Sequence, residues 1–141
     1  MKVSARNTFP GTIANVTKGA VNAEVLLTTT GGDQIVAGIT NGSVETLALK
    51  KGVPAVALVK ASWVILGKGL DAAKISTRNL LSGTISNILA GAVNSEVDVK
   101  LPGGTILTAI VTNGSVQNMH LVVGEQVSAA FKASSVIIAV E

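Results

Sequence analysis

The chain has 141 residues, 48% of them hydrophobic and only 2% aromatic, with eleven Lys/Arg against eight Asp/Glu for a net charge of +3. It contains no cysteine and one histidine, His120, which excludes disulfides, thiolate metal sites and His-rich metal centres. No run of about 18 apolar residues occurs, so no membrane-spanning helix is expected, and Met1-Lys2-Val3 shows no signal-peptide pattern, so a soluble cytoplasmic protein is expected.

The elements read as short strands from the start. Residues 11–16 form a Val/Ile/Thr-rich strand that ends in a turn near Lys18-Gly19. A second strand covers residues 23–28 and a third 34–39, joined by Gly31-Gly32, since glycine tolerates the positive φ of a tight hairpin. Thr40-Asn41-Gly42 supplies N-cap residues for about one helical turn over residues 43–47. Lys51-Gly52 ends that turn, and a last continuous strand is expected over residues 53–66. The order then returns, with Gly103-Gly104 as the hairpin and residues 127–140 as the last strand.

It returns because the chain is one unit written twice. Residues 4–69 and 76–141 align without a gap, with about 29 identities in about 66 pairs. The expected organisation is a first domain at 1–69, a linker at 70–75 and a second domain at 76–141. A unit of this size buries only about 60% of its unfolded surface, so duplication, oligomerisation or a ligand should add stability. Four to five short strands and one brief helix per repeat indicate an all-β protein. The nearest architecture is two tandem OB-like small β-barrels.

Comparing the copies selects residues. The repeated polar segments are Ser4-Ala5-Arg6-Asn7 with Ser76-Thr77-Arg78-Asn79, Thr40-Asn41-Gly42-Ser43 with Thr112-Asn113-Gly114-Ser115, and Lys60-Ala61-Ser62 with Lys132-Ala133-Ser134. Among the cations, only Arg6/Arg78 and Lys60/Lys132 coincide, and without these four the chain has seven cations against eight carboxylates. An arginine fork, a lysine point charge, small hydroxyls and a helix N-terminus together suit a tetrahedral oxyanion. No base, paired carboxylate or metal-binding cluster accompanies them, so the set reads as a holding site and not an enzyme. Each residue also has a plainer reading. Thr40 and Ser43 serve equally as helix caps, Asn7 and Asn22 as turn residues, and Arg6 and Lys60 as surface charges. Glu24 and Glu96 also coincide, either pairing with a cation or capping a turn. Trp63 is matched by Ser135 and is expected to pack at an interface or between the repeats. His120, opposite Ala48, carries no function in this reading.

On the three motif pairs, with Gly11 and Trp63-Val64, the chain closely resembles the molbindins, tandem Mop-domain molybdate-binding proteins. The resemblance covers essentially the whole chain. It implies two OB-like Mop domains, assembly as a homotrimer, and molybdate or tungstate held by hydrogen bonds at subunit interfaces, with a storage role in molybdenum homeostasis. The implied ligands are Ser4, Arg6, Thr40, Ser43, Lys60, Ala61 and Ser62, and again Ser76, Arg78, Thr112, Ser115, Lys132, Ala133 and Ser134. Ala61 and Ala133 would offer backbone N–H groups. Secondary candidates are Asn7 and Asn79 and the turns Gly19, Ala20, Val21, Asn22 and Gly91, Ala92, Val93, Asn94. The same domain occurs in molybdate-dependent transcription regulators and transporter ATPases. Neither a helix-turn-helix nor a nucleotide-binding Gly-x-x-x-x-Gly-Lys-Ser/Thr loop is expected in this chain. The alternatives are a regulatory partner protein or an OB-type single-stranded nucleic-acid binder. The latter lacks the aromatic platforms such proteins use, so neither a nucleic-acid nor a membrane partner is expected.

Overall fold

The computed structural model describes residues 1–141. The first repeat supplies β1 (Asn7–Lys18), β2 (Asn22–Thr29), β3 (Gln34–Thr40), α1 (Asn41–Thr46), β4 (Pro54–Val59) and β5 (Ile65–Gly67). The second supplies β6 (Asn79–Ala90), β7 (Asn94–Lys100), β8 (Ile106–Thr112), α2 (Asn113–Asn118), β9 (Gln126–Phe131) and β10 (Ile137–Ala139). Two five-stranded antiparallel sheets result, ordered β10-β4-β1-β2-β3 and β5-β9-β6-β7-β8. Each sheet carries one short α-helix, so the all-β, OB-like tandem architecture expected from the sequence is the one observed.

The strand expected over residues 53–66 is broken. β4 stops at Val59, and Ala61–Trp63 forms a 3-10 turn before β5 begins. The burial pattern explains the break. Ala61 and Val64 are buried while Ser62 and Trp63 between them are exposed, a spacing of three that a flat strand does not give. The second repeat breaks in the same way at Ala133–Ser135. Each sheet therefore receives its last short strand from the other repeat: β10 pairs with β4, and β5 pairs with β9. The compact units are Met1–Val59 with Lys132–Glu141, and Lys60–Phe131.

The long first strand shapes each unit. β1 pairs with β4 over residues 7–12 and with β2 over residues 11–18, so the two neighbours overlap only near Gly11. A side chain at Gly11 would collide with the Thr28 carbonyl oxygen, and a Cβ at Gly83 would lie 2.6 Å from the Lys100 carbonyl oxygen. A bulge follows in each copy, between Ile13 and Asn15 and between Ile85 and Asn87. Close approach plus a bulge curls the sheet towards a barrel. One face is apolar: Ala23, Val25 and Leu27 alternate inward on β2, and Val97 and Val99 on β7. Each such side chain contributes roughly 1.5–3 kcal/mol of burial.

The helices are held at both ends by local bonds. Thr40 caps α1, its hydroxyl accepting from the Ser43 N–H at 3.1 Å, and Thr112 does the same for Ser115. At the far end the Leu49 N–H donates to Val44 O and the Ala48 N–H to Glu45 O, which is a Schellman motif. Its left-handed residue is Ala48 (φ 50°), matched by His120 (φ 51°), where glycine is the usual occupant. The two residues that the alignment pairs without chemical likeness thus share a backbone role.

Two outcomes follow for stability. Gly11→Ala should lower the free energy of unfolding by about 2 kcal/mol or more, because a backbone carbonyl cannot yield. Gly42→Ala, with its nearest foreign atom 3.9 Å away, should not. Ala48→Gly should raise stability by about 1 kcal/mol by removing Cβ strain. Denaturant titration of the three variants checks all of these values.

Candidate functional site

The Lys60–Phe131 unit contains a groove of 340 Å³. Ser62 stands on one side, Thr112, Ser115 and Asn94 on the other, and Val64, Leu66, Met119 and Leu121 form its apolar wall. The turn Ala61–Trp63 brings Ser62 here from the first repeat, and the end of β8 and start of α2 bring Thr112 and Ser115 from the second. The turn's own hydrogen bonds begin with Trp63 N–H to Lys60 O and Val64 N–H to Ala61 O. The Ala61 and Ser62 N–H groups lie ahead of these bonds, where a short helix leaves donors unused by itself. Lys60 is exposed immediately before them.

The other unit has the corresponding arrangement. The backbone of Ala133-Ser134 packs against β3, with Ala133 C and Ser134 N each 3.8 Å from the position a Cβ of Gly38 would take. Thr40 closes that strand and Ser43 follows in α1. The Thr40 and Ser43 hydroxyls are 2.9 Å apart, and those of Thr112 and Ser115 are 2.8 Å apart. The helix-cap reading of both threonines therefore holds. The Ser43 and Ser115 N–H groups are already taken by the caps, and each Thr–Ser pair uses one hydroxyl proton between its own two oxygens, which in the first pair leaves the Ser43 hydroxyl proton for another acceptor.

Ser4, Arg6, Ser76 and Arg78 are exposed and lie at the start of the long first strand of each repeat. Asn7 opens β1 opposite Val59, whereas Thr40 pairs with Asn22 beyond the far end of the same strand. The 12-residue length of β1 separates Arg6 from Thr40, and that of β6 separates Arg78 from Thr112. Asn7 and Asn79 are buried, 1% and 2% exposed, and hold the strand starts. No group of three or more His, Cys, Asp or Glu residues is placed to hold a metal cation.

The Gly-Ala-Val-Asn turns are exposed and braced by Asn41, which the sequence places among the N-cap residues and not among the ligands. Asn41 Nδ2 donates to Gly19 O at 2.9 Å, and the Asn41 N–H donates to Val21 O. Asn113 repeats both bonds to Gly91 and Val93. Its recurrence beside Thr40 and Thr112 was the available signal. The copies differ at one atom: Ser95 donates to Asn113 Oδ1 at 2.5 Å, whereas Ala23 stands at the matching place and leaves buried Asn41 Oδ1 without a hydrogen bond.

A family model for the TOBE domain matches residues 3–66 and again 75–138. The chain belongs to the TOBE-domain family. Its two TOBE domains are of the tandem Mop type expected from the motifs. Over its full length the chain is 45% identical to the cytoplasmic molybdate-binding protein ModG, whose crystal structure holds molybdate, with a TM-score of 0.95 and all of both chains covered. It is 40% identical over 141 residues to the molybdenum transport protein ModE of Herbaspirillum seropedicae, covering all of this chain and 52% of that one. It is 42% identical over 139 residues to the molybdenum-pterin-binding protein MopA of Rhodobacter capsulatus, covering 99% of this chain and 52% of that one. The chain thus spans about half the length of these two curated relatives. No helix is long and apolar enough to cross a membrane.

The unsatisfied oxygen in the first TOBE domain gives a direct expectation. Ala23→Ser should supply Asn41 Oδ1 with the donor that Ser95 gives Asn113, and raise stability by about 1 kcal/mol. Thermal and denaturant unfolding of the variant beside the parent chain measures it.

Proposed function

We propose that this chain is a cytoplasmic protein that holds molybdate or tungstate by hydrogen bonds, for molybdenum storage and homeostasis. The supporting observation is the full-length match to molybdate-bound ModG at 45% identity. The donor set agrees with it. Arg6 and Lys60 supply cationic donors, and the Ser43 and Ser62 hydroxyls and the Ala61 N–H supply neutral ones. A fully deprotonated tetrahedral dianion needs only donors, whereas phosphate at neutral pH carries a proton that asks for an acceptor. We expect this excess of donors over acceptors to favour molybdate and tungstate over phosphate. It binds and does not react, having no nucleophile paired with a base.

Arg6 and Thr40 stand at opposite ends of β1. That separation supports sites completed by a second copy of the chain, and we take the assembly to be the homotrimer that the resemblance implies. A 35% identity over 140 residues to the DNA-binding transcriptional dual regulator ModE of Escherichia coli, covering 52% of that protein, supports a second role, as the anion-sensing part of a regulator. Single-stranded nucleic acid is disfavoured because Phe9 and Phe131 are 2% and 1% exposed, which leaves Trp63 as a single exposed ring where a stacking platform needs several.

Calorimetry with molybdate, tungstate and phosphate tests the proposal. Binding of the first two and not the third is expected, and a folded protein that takes up neither metal oxyanion would refute it. Arg6→Ala and Lys60→Ala should each weaken molybdate binding about tenfold or more, as expected for a lost charge-assisted hydrogen bond. Light scattering should find the oligomer intact. Unchanged affinity in both variants would reject the site assignment.

A further inference from the structure

The two matched lysines are not equivalent. Lys60 Nζ lies 5.2 Å from the ring centroid of Trp63, a cation–π contact. Lys132 has Ser135 at the corresponding place and no ring beside it. The backbones do not account for the difference. Lys60 and Lys132 have φ/ψ of −66°/135° and −70°/141°, and the residue three positions on donates to the lysine carbonyl at 3.0 Å in both copies. Only the side chain distinguishes them. Trp63 itself is 42% exposed, a large ring left at the surface beside Ser62 and the groove it borders.

We propose that Trp63 is a positioning residue for Lys60, and that it makes oxyanion sites built on Lys60 tighter than those built on Lys132. The inference rests on the oxyanion-binding reading above. A free lysine gives up rotamer freedom when it engages an anion, and the ring face restricts that freedom beforehand. The ring attracts the ammonium through its quadrupole and accepts none of its three N–H groups as strong hydrogen bonds, so these remain for the anion. The ring also shields one side of the ammonium from water, which strengthens its attraction to an anion on the other side. Sparing part of the rotamer freedom that binding would otherwise remove corresponds to about a two- to fivefold change in affinity. One chain would then carry two classes of site, one filling before the other.

Calorimetric titration of the whole chain with molybdate separates the possibilities. The parent protein should need two affinity classes about two- to fivefold apart. Trp63→Leu should merge them at the weaker value, and Trp63→Phe, which keeps an aromatic face, should retain most of the difference. Ser135→Trp should tighten the second class towards the first. Retained thermal stability in all three variants separates positioning from folding. Equal losses in the Leu and Phe variants, an unchanged titration in the Leu variant, or tighter binding once the ring is removed would each overturn the role of Trp63. Parent protein that binds no molybdate would overturn the oxyanion reading as well, which distinguishes the two failures.

Discussion

The close approach of β1 to β2 at Gly11, and of β6 to β7 at Gly83, is the constraint on which the rest of each unit depends. A 12-residue strand cannot stay flat and serve β4 along one half and β2 along the other. It turns the corner where no Cβ intrudes and where a bulge adds twist. The apolar faces of β2, β3 and β4 then close over one core, and the strand ends are carried far apart. Every polar residue of interest sits at one of those ends, and the curl decides which of them can meet.

The candidate site follows from that geometry. The end of β3 or β8 delivers a capping threonine and a serine, and the 3-10 turn from the other repeat delivers a serine hydroxyl and two leading N–H groups. Arginine remains at the opposite end of the first strand. A half-site of small neutral donors and a separate cation is a sensible division for a dianion. The neutral donors fix orientation at short range, while the charged groups attract over a longer distance and need less precise placement. It also leaves each unit short of a full complement, which is the physical basis for expecting another copy of the chain at the site.

The duplicated units have diverged most where they are not needed for this chemistry. Lys18, Lys50 and Lys51 of the first repeat correspond to Ala90, Val122 and Val123 of the second, and Val122 and Val123 are 56% and 60% exposed. Lys18 forms a 3.6 Å ion pair with Glu45, a pairing that Ala90 and Gln117 cannot make. At the helix caps the copies agree closely in hydrogen-bond lengths, while they differ at Ala23/Ser95, at Trp63/Ser135 and at Ala5/Thr77, where the Thr77 hydroxyl donates to Phe131 O at 2.6 Å. Two sites built on one pattern and tuned by a few neighbours can cover a wider range of ligand concentration than two identical ones.

The sequence by itself determined the local features. Paired glycines set the hairpins, Thr40 and Thr112 started the helices, alternating Val, Leu and Ala marked the inward faces, and two coincident cation pairs marked the anion chemistry. All of these are short-range effects of φ, hydrogen-bonding capacity and side-chain period, so they can be read residue by residue. The interruption after Lys60 could not be read in this way, because Lys-Ala-Ser-Trp-Val carries no Gly or Pro and its residues suit a strand. Only the tertiary structure decided that the chain breaks there and lends its next strand to the other repeat's sheet. That choice compares β4 and β9 as partners for β5, two long-range pairings whose energies depend on the whole curled sheet. The same decision placed Ser62 in one groove with Thr112 and Ser115.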